Sequence, residues 1–552
     1  MFCYQCEQTA HGSGCTTIGT CGKTADTAIL QDVMVYQVKG IGQYAHRARK
    51  LGKADRAIDN AVLEALFMTL TNVNFDTDEH VCVIQDLQRT KQQAKALYEQ
   101  ACAEAGQQPE AFDGPAVWQA FPKKEDLFNF GRTLSLEGLK YTMDPDRLSL
   151  QELLTYGIKG LAAYAHHAML LGYTDDSIYA FVHEAMALTT EPDVAIDTLL
   201  AACLKAGEVN LTVMALLDQA HTETFGHPEP THVNTAPVEG KAILVSGHDM
   251  KVLHDVLKQT EGTGINVYTH GELLPAHAYP KLKAFKHLVG NYGGAWQLQV
   301  REFEAFPGPI LMTTNCLKPP SDSYKDRLYT INVMGFDGCP KLSDNDFGPL
   351  IEAAKQHAGF PETKPAKTTL IGFGRNAVLG VADKVIDAVK QGAIKHFFLI
   401  GGCDGAEFAR NYFTDFGHQT PDDTVILTLG CGKYRLMDHD YGDIGGIPRL
   451  LDMGQCNDAY SAIKVAMALA EAFGVGVNDL PLSLIISWFE QKAVAVLLTL
   501  LHLGIKDIRL GPNLPGFVSP NVLSLLVEKY DLKPTGTVEE DMAAILQPVG
   551  AS

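Results

Sequence analysis

Four cysteines stand within the first 21 residues as Cys3-x2-Cys6-x8-Cys15-x5-Cys21. Gly12, Gly14, Gly19 and Gly22 let so short a loop turn sharply. Four thiolates placed this way can surround one metal centre, and thiolates suit zinc or an iron–sulfur cluster. Zinc sites more often use two close Cys-x2-Cys pairs. Here only Cys3 and Cys6 are close, which favours a four-cysteine [4Fe–4S] cluster, with zinc and free thiols as the alternatives.

A second set of reactive side chains lies in the C-terminal half. Cys403-Asp404-Gly405, Gly430-Cys431-Gly432 and Gln455-Cys456-Asn457 each place one cysteine beside Gly or a small polar residue. A structural cysteine more often sits inside an apolar run. Glu490 falls in the apolar stretch from Leu484 to Leu501, where a carboxylate is costly unless paired or metal-bound. Lys492 is near, but residues two apart on a helix do not face each other. Metal ligation and a salt bridge both stay open for Glu490. His248 and Glu272, taken singly, read as structural. Together with Cys316, Cys403 and Cys431, however, they sit at or just past the ends of strand-like runs. Binding groups collect at such ends in open α/β sheets.

Three look-alikes are set aside. Gly372-x-Gly374-x-x-Ala377 follows a strand-like run and opens a helix, but the next strand ends at Gly401-Gly402-Cys403 instead of the acid a dinucleotide site needs. Gly22-Lys23-Thr24 imitates the end of a P-loop, but position 17 is Thr17 where Gly is required. His183-Glu184 starts like a zinc-protease helix, but Ala187 replaces the second His.

The elements that must position these groups show two duplications. Leu30-Gln31-Asp32, Tyr36, Lys39, Gly40, Tyr44, Ala45, His46, Leu51 and Gly52 recur 120 residues later as Leu150-Gln151-Glu152, Tyr156, Lys159, Gly160, Tyr164, Ala165, His166, Leu171 and Gly172. Apolar residues at three- and four-residue spacing predict amphipathic helices, hence two repeated helical bundles over about residues 25–225. The paired His46 and His166 read as repeated structural residues on a helix face. His227 to Gly240 is Pro-rich and polar and reads as a linker. Strand-like runs then alternate with helical ones: Ala242–Ser246, Ile265–Tyr268, Pro309–Thr313, Thr369–Phe373, His396–Ile400 and Val425–Leu429. This predicts βαβ units and parallel sheets. Ile243-Leu244-Val245-Ser246-Gly247-His248-Asp249 resembles Phe398-Leu399-Ile400-Gly401-Gly402-Cys403-Asp404, which hints at a second duplication. The predicted fold class is multidomain α and α/β. A helical-bundle domain with the iron–sulfur loop (1–226) precedes two Rossmann-like α/β domains (227–365 and 366–552), separated by a polar stretch from His357 to Thr368.

Composition narrows the function. The chain has 552 residues, 46% of them apolar and 20% charged, enough to bury large cores. Its 45 Lys and Arg against 65 Asp and Glu leave a formal charge of −20, which argues against a nucleic-acid surface. A cationic redox partner or a small uncharged substrate fits better. No apolar segment follows a basic start, and the greasy stretch from Ala493 to Ile505 is too short to cross a bilayer and is broken by His502. A cytoplasmic protein with no membrane contact is expected. There, clustered cysteines are metal or redox ligands more often than disulfides.

The sequence resembles the hybrid-cluster proteins, also called prismane proteins and known as hydroxylamine reductases, over essentially its whole length. The resemblance is carried by Met1-Phe2-Cys3-x2-Cys6-Glu7-Gln8-Thr9, Thr20-Cys21-Gly22-Lys23, Ser246-Gly247-His248-Asp249, Tyr268-Thr269-His270-Gly271-Glu272, Asn291-Tyr292-Gly293-Gly294, Thr313-Thr314-Asn315-Cys316, Gly402-Cys403-Asp404-Gly405, Gly430-Cys431, Gly454-Gln455-Cys456-Asn457-Asp458 and Trp488-Phe489-Glu490-Gln491-Lys492-Ala493. More distantly it is similar to nickel–iron carbon monoxide dehydrogenase.

The resemblance implies a [4Fe–4S] cluster of the anaerobe type on Cys3, Cys6, Cys15 and Cys21. It also implies a buried iron–sulfur–oxygen hybrid cluster on His248, Glu272, Cys316, Cys403, Cys431, Cys456 and Glu490, with a persulfide at Cys403. The implied activity is reduction of hydroxylamine to ammonia and water, or of nitric oxide to nitrous oxide. Electrons arrive from a donor protein, ferredoxin-like or an NADH-linked reductase, by way of the N-terminal cluster. Glu490 and Lys492 are the local proton-supply candidates. Protein S-nitrosylation or redox sensing at the same cluster is the competing expectation. Cys82, Cys102, Cys203 and Cys339 receive no role.

Overall fold

The computed structural model describes residues 1–343, 345–404 and 410–546; Gly405 of the Cys403 motif and the last six residues of the predicted third domain lie outside the described residues. Helices α1 (Ala25–Lys50), α2 (Arg56–Met68) and α3 (Thr77–Glu104) are followed by two short helices, α4 (Lys124–Thr133) and α5 (Leu136–Thr142). Then α6 (Pro145–Leu170), α7 (Asp176–Leu188) and α8 (Ile196–Phe225) repeat the first three. The duplication extends to the caps: Asp55 accepts from the Ala57 N–H, and Asp175 from the Ser177 N–H. The copies interlock, with α1 against α7 and α6 against α2.

Helix α8 is long and apolar enough to cross a membrane by length and composition, a feature outside the predicted greasy stretch. It packs against α6 and against the helix Gln491–His502, and its buried Asp218 is paired with Arg375 at 2.6 Å.

After α8 the chain builds sheets. Strand β1 (Thr231–Asn234) precedes a five-stranded parallel sheet of β2 (Ala242–Ser246), β3 (Asn266–His270), β4 (Leu288–Asn291), β5 (Ile310–Met312) and β6 (Leu328–Thr330). Strand β7 (Thr368–Ile371) follows, then β8 (His396–Gly402), β9 (Thr424–Thr428), the short hairpin β10 (Asp443–Ile444) and β11 (Ile447–Pro448), and β12 (Leu450–Asp452). The last three strands are β13 (Leu482–Ser487), β14 (Ile508–Gly511) and β15 (Leu532–Pro534).

The two parallel sheets share one plan. Their orders are β4-β3-β2-β5-β6 and β12-β9-β8-β13-β14-β15. In each, the first strand is central, the next two lie to one side, and the chain then returns to the other side, as in a doubly wound sheet. This gives the second duplication a structural basis, with β2 equivalent to β8, β3 to β9, β4 to β12 and β5 to β13.

Two sequence expectations change. The run Thr369–Phe373 does not enter a parallel sheet. As β7 it pairs antiparallel with β1, which lies inside the stretch expected to be a linker. The Gly372-x-Gly374 look-alike therefore has no βαβ setting. The apolar stretch from Leu484 to Leu501 is not one element either: it divides into β13, a turn through Glu490 and the helix Gln491–His502.

Two equivalent glycines turn the chain out of the central strands. Gly247 has φ +114° and Gly402 has φ +122°. A Cβ on Gly402 would lie 1.8 Å from the Ser487 carbonyl oxygen, and one on Gly247 would lie 2.4 Å from Thr313 Oγ1. Each glycine thus lets a central strand hand its next residue to the gap above the neighbouring strand.

Gly402→Ala is expected to cost more than about 3 kcal/mol, because it adds a backbone clash to an unfavourable φ. Gly392→Ala, at φ +74° with open space around it, is expected to cost about 1 kcal/mol. Chemical denaturation of both variants checks the difference.

Burial holds His80, His166 and His221 down to about 4. The unfolded chain binds these protons near pH 6.5 and the folded chain does not. Stability is therefore full above pH 6.5 and is lost towards pH 4, by roughly 1.4 kcal/mol per unit for each histidine. Urea midpoints at pH 7, 6 and 5 measure this slope, and replacing all three with Gln or Leu is expected to flatten it.

Candidate metal centre

Each of the seven residues implied as hybrid-cluster ligands follows the carboxyl end of a parallel strand. From the first sheet come His248 after β2, Glu272 after β3 and Cys316 after β5; from the second come Cys403 after β8, Cys431 after β9, Cys456 after β12 and Glu490 after β13. The two carboxyl edges meet. Gln455 Nε2 donates to the carbonyls of His248 (3.0 Å) and Glu272 (2.7 Å), and the Cys456 N–H donates to Glu272 Oε2 at 3.1 Å. Trp296, from the first α/β unit, stacks on Phe489 with ring centroids 4.3 Å apart, and its indole N–H donates to the Cys403 carbonyl.

Donor atoms of His248, Glu272 and Cys456 all lie within 4.8 Å of one another. Thr314 Oγ1 engages His248 Nδ1 at 3.2 Å, and Nε2 stands 3.9 Å from Glu272 Oε2. Glu272 Oε1 is buried with no hydrogen-bond partner. A buried orphan carboxylate oxygen beside an imidazole and a thiol fits a cation, since such a group is otherwise expensive. Cys316 adds backbone strain at the same place: its φ is +75°, a region that non-glycine residues seldom occupy.

Burial sets the electrostatics. It lowers His248 and raises Glu272, Glu490, Cys316, Cys403 and Cys431, while Cys456 is pushed up to about 12. Ionised ligands in this setting need positive charge, so metal uptake displaces protons. The protein supplies some of that charge through Lys492. Burial alone would lower Lys492, but Cys456 and Glu490 more than offset this and raise it.

The Glu490–Lys492 relation corrects the sequence argument. Glu490 is not on the helix but caps it, accepting the Lys492 N–H at 2.8 Å, and Lys492 Nζ reaches Glu490 Oε1 at 3.6 Å and Asn315 Oδ1 at 3.0 Å. The i, i+2 rule for helices does not apply at a cap.

The N-terminal loop folds back on itself, with the Cys15 N–H donating to the Cys3 carbonyl at 2.8 Å. Cys6 and Cys15 are buried, Cys3 and Cys21 half-buried, and Cys6 feels the other three thiols as charged neighbours. Tetrahedral zinc with bonds of 2.3 Å would need sulfurs about 3.8 Å apart. Among the described residues no three of these thiols gather within 4.8 Å, as His248, Glu272 and Cys456 do. Cys6 also packs in one apolar cluster with Trp296, Cys431 and Phe489, next to Cys316 and Cys403. The two sets of thiols are thus neighbours in space.

A family model described as Prismane/CO dehydrogenase matches residues 1–543. The chain belongs to this family. It is 55% identical over 545 residues to a hydroxylamine reductase of Rhodospirillum rubrum and 54% identical over 550 residues to one of Burkholderia ambifaria, with 99% of each chain covered in both comparisons. Among solved structures it is similar to carbon monoxide dehydrogenases. That of Thermococcus sp. AM4 has a TM-score of 0.56 at 17% identity, covering 99% of this chain and 90% of the other. Enzyme IV of Carboxydothermus hydrogenoformans has a TM-score of 0.54 at 16% identity, covering 96% and 89%. At that identity the likeness shows the fold. Family membership makes the chain an iron–sulfur redox enzyme.

Several residues around the site have no signal in the sequence. Tyr164 and His167 lie on one face of α6. The Tyr164 hydroxyl is buried without a partner of ordinary hydrogen-bond geometry and has Cys456 beside it. Both ring nitrogens of His167 are likewise orphaned, and His248 and Lys492 are close enough to influence it. Lys433, fully buried, pairs with Asp452 at 2.6 Å and donates to the Gly454 carbonyl, fixing the loop before Cys456. Tyr164 was visible only as a repeat match to Tyr44, which instead packs against Tyr98 and Phe112. His46 and His166, read as structural, both lie on repeat helices, and His166 packs edge-on against Phe67. Of the cysteines without a role, Cys102 and Cys203 are buried, Cys339 is half-buried and Cys82 is exposed.

Breaking a buried ion pair costs about 3–5 kcal/mol, because the surviving charge is left alone. Glu490→Gln and Lys492→Met are each expected to destabilise the metal-free protein by that order. The double variant is expected to lose clearly less than the sum, and urea denaturation of all four proteins measures the coupling.

Proposed function

We propose that this chain reduces hydroxylamine to ammonia and water at a buried centre held by His248, Glu272, Cys316, Cys403, Cys431, Cys456 and Glu490. Cys3, Cys6, Cys15 and Cys21 hold a [4Fe–4S] cluster in this reading. The observation that carries it is the meeting of seven ligand-type side chains from the carboxyl ends of two sheets, in a chain 55% identical to a hydroxylamine reductase. The balance is NH2OH + 2 e⁻ + 2 H⁺ → NH3 + H2O: the N–O bond breaks, the two electrons come from a donor protein, and one proton goes to each fragment.

When bound, the N-terminal cluster supplies one-electron transfer and the buried hybrid cluster supplies irons of mixed ligation with exchangeable positions. The protein shapes what reaches it. An apolar cavity of about 240 Å³ is lined by the exposed Met467, by Ile463 and Leu498, and by Cys403 and Cys456. Such a lining favours small neutral molecules over ions, and hydroxylamine is neutral at pH 7. Nitric oxide satisfies the same selection and is the second substrate of this reading (2 NO + 2 e⁻ + 2 H⁺ → N2O + H2O).

Hydrogen-bonded to Asn315 and near Glu490, Lys492 holds a proton at Nζ beside the centre. Cys403 carries the persulfide in this reading. The formal charge of −20 favours a donor, ferredoxin-like or an NADH-linked reductase, that docks through a basic patch.

Anaerobically purified protein, supplied with a reduced dye, is expected to consume many equivalents of hydroxylamine and release ammonia. Cys403→Ala is expected to keep the N-terminal cluster's paramagnetic resonance signal and lose at least 100-fold in kcat. Stoichiometric consumption alone, or transfer of a nitroso group to a partner thiol without reduction, overturns the reading in favour of a modifying or sensing role.

A further inference from the structure

The apolar cavity that ends at Cys403 and Cys456 has very little polar surface. Its lining includes two side-chain hydroxyls, Tyr164 and Ser487. Ser487 is fully used: it donates to the Gly401 carbonyl at 3.1 Å and accepts the Asp404 N–H at 3.2 Å. Tyr164 is not. Its ring is 1% exposed, its hydroxyl faces the Cys456 thiol with no partner of ordinary hydrogen-bond geometry, and the Lys492 ammonium stands 5.9 Å from the ring centroid. A buried hydroxyl with only a thiol beside it gains free energy from a better acceptor.

The duplication gives independent support. Tyr44, the matching residue of the first repeat, is wrapped in an aromatic cluster with Tyr98 and Phe112 and lies outside this cavity. Bundle packing therefore does not require that Tyr164 face Cys456. The face that carries Tyr164 and His167 does so because the second repeat is the one seated against the helix Gln491–His502.

We infer that Tyr164 is the hydrogen-bond donor that receives the oxygen of a small nitrogen oxide at the inner end of the cavity, and so a further catalytic residue of the reductase. This rests on the proposed hydroxylamine reduction. A single hydroxyl donor in an otherwise apolar lining fixes where the oxygen of a small polar molecule sits. It holds the oxygen and leaves the nitrogen free.

The test compares wild type with Tyr164→Phe, each purified anaerobically and matched for iron content. Hydroxylamine titrations followed by the resonance signal of the buried cluster give Kd, and steady-state assays give kcat and KM. Loss of one hydrogen bond in an apolar site is expected to raise Kd and KM about tenfold, with the signals of both clusters in the substrate-free protein unchanged.

Unchanged Kd and kcat/KM in Tyr164→Phe overturn the assignment alone. So does a substrate-free cluster signal or potential that shifts while Kd stays fixed, which would make Tyr164 a support for Cys456. A wild type that neither binds nor reduces hydroxylamine overturns the reductase and the assignment together. If Tyr164→Phe fails to load iron, 3-fluorotyrosine at position 164 keeps the ring and strengthens the donor. Tighter hydroxylamine binding supports the role and unchanged binding overturns it.

Discussion

The structure depends on one electrostatic constraint. Four thiols, two carboxylates and an imidazole are gathered where water is largely excluded. Groups of this kind cannot all be ionised in a low-dielectric interior without positive charge among them. The buried ammonium of Lys492 meets part of that need, and Lys433 acts on Glu272 from the other side. In the proposed reading, bound metal supplies the remainder. The strand ends, the glycine turns and the strained φ at Cys316 all serve this concentration of donors, which no single sheet edge could provide.

Duplication explains how one chain reaches seven donors. Each doubly wound sheet offers positions after its first, second and fourth strands: His248, Glu272 and Cys316 on one, Cys403, Cys431 and Glu490 on the other. The third strand contributes only in the second sheet, through Cys456; after β4 the first sheet has Tyr292, Gly293 and Gly294. Equivalent positions carry different chemistry, His against Cys and Cys against Glu. Two copies of one scaffold, placed edge to edge, thus yield an asymmetric donor set, with one thiol on the first sheet and three on the second.

What could be read from the sequence follows from this. The helical repeat was legible because identity at a fixed offset survives without knowledge of packing. The donors after β2, β3, β8 and β9 were legible because strand-like runs end visibly at Gly, and Cys316 because it follows the strand-like run Pro309–Thr313. Glu490 was harder: β13 and the helix after it are both apolar, so their boundary is hidden, and the rule for residues on a helix was applied to a cap. Strand β1 was hidden in a polar, Pro-containing stretch, because a four-residue strand is defined by its partner, β7. Tyr164, His167 and Lys433 left no local signal, since their importance comes from which helix or loop is laid against the centre.

The N-terminal loop is held by residues from the far end of the chain. The Glu7 N–H donates to the Phe489 carbonyl, its carboxylate accepts from Asn513 at 2.6 Å, and the Gln491 side chain donates to the Gln5 carbonyl at 2.7 Å. During synthesis the first two dozen residues leave the ribosome before any of these partners exist. Those ties must wait until nearly 500 further residues have been made. The loop's seating is therefore completed in two stages: contacts such as Gln5 with Thr69 and Lys159 can form early, and those with Phe489, Gln491 and Asn513 only at the end of synthesis.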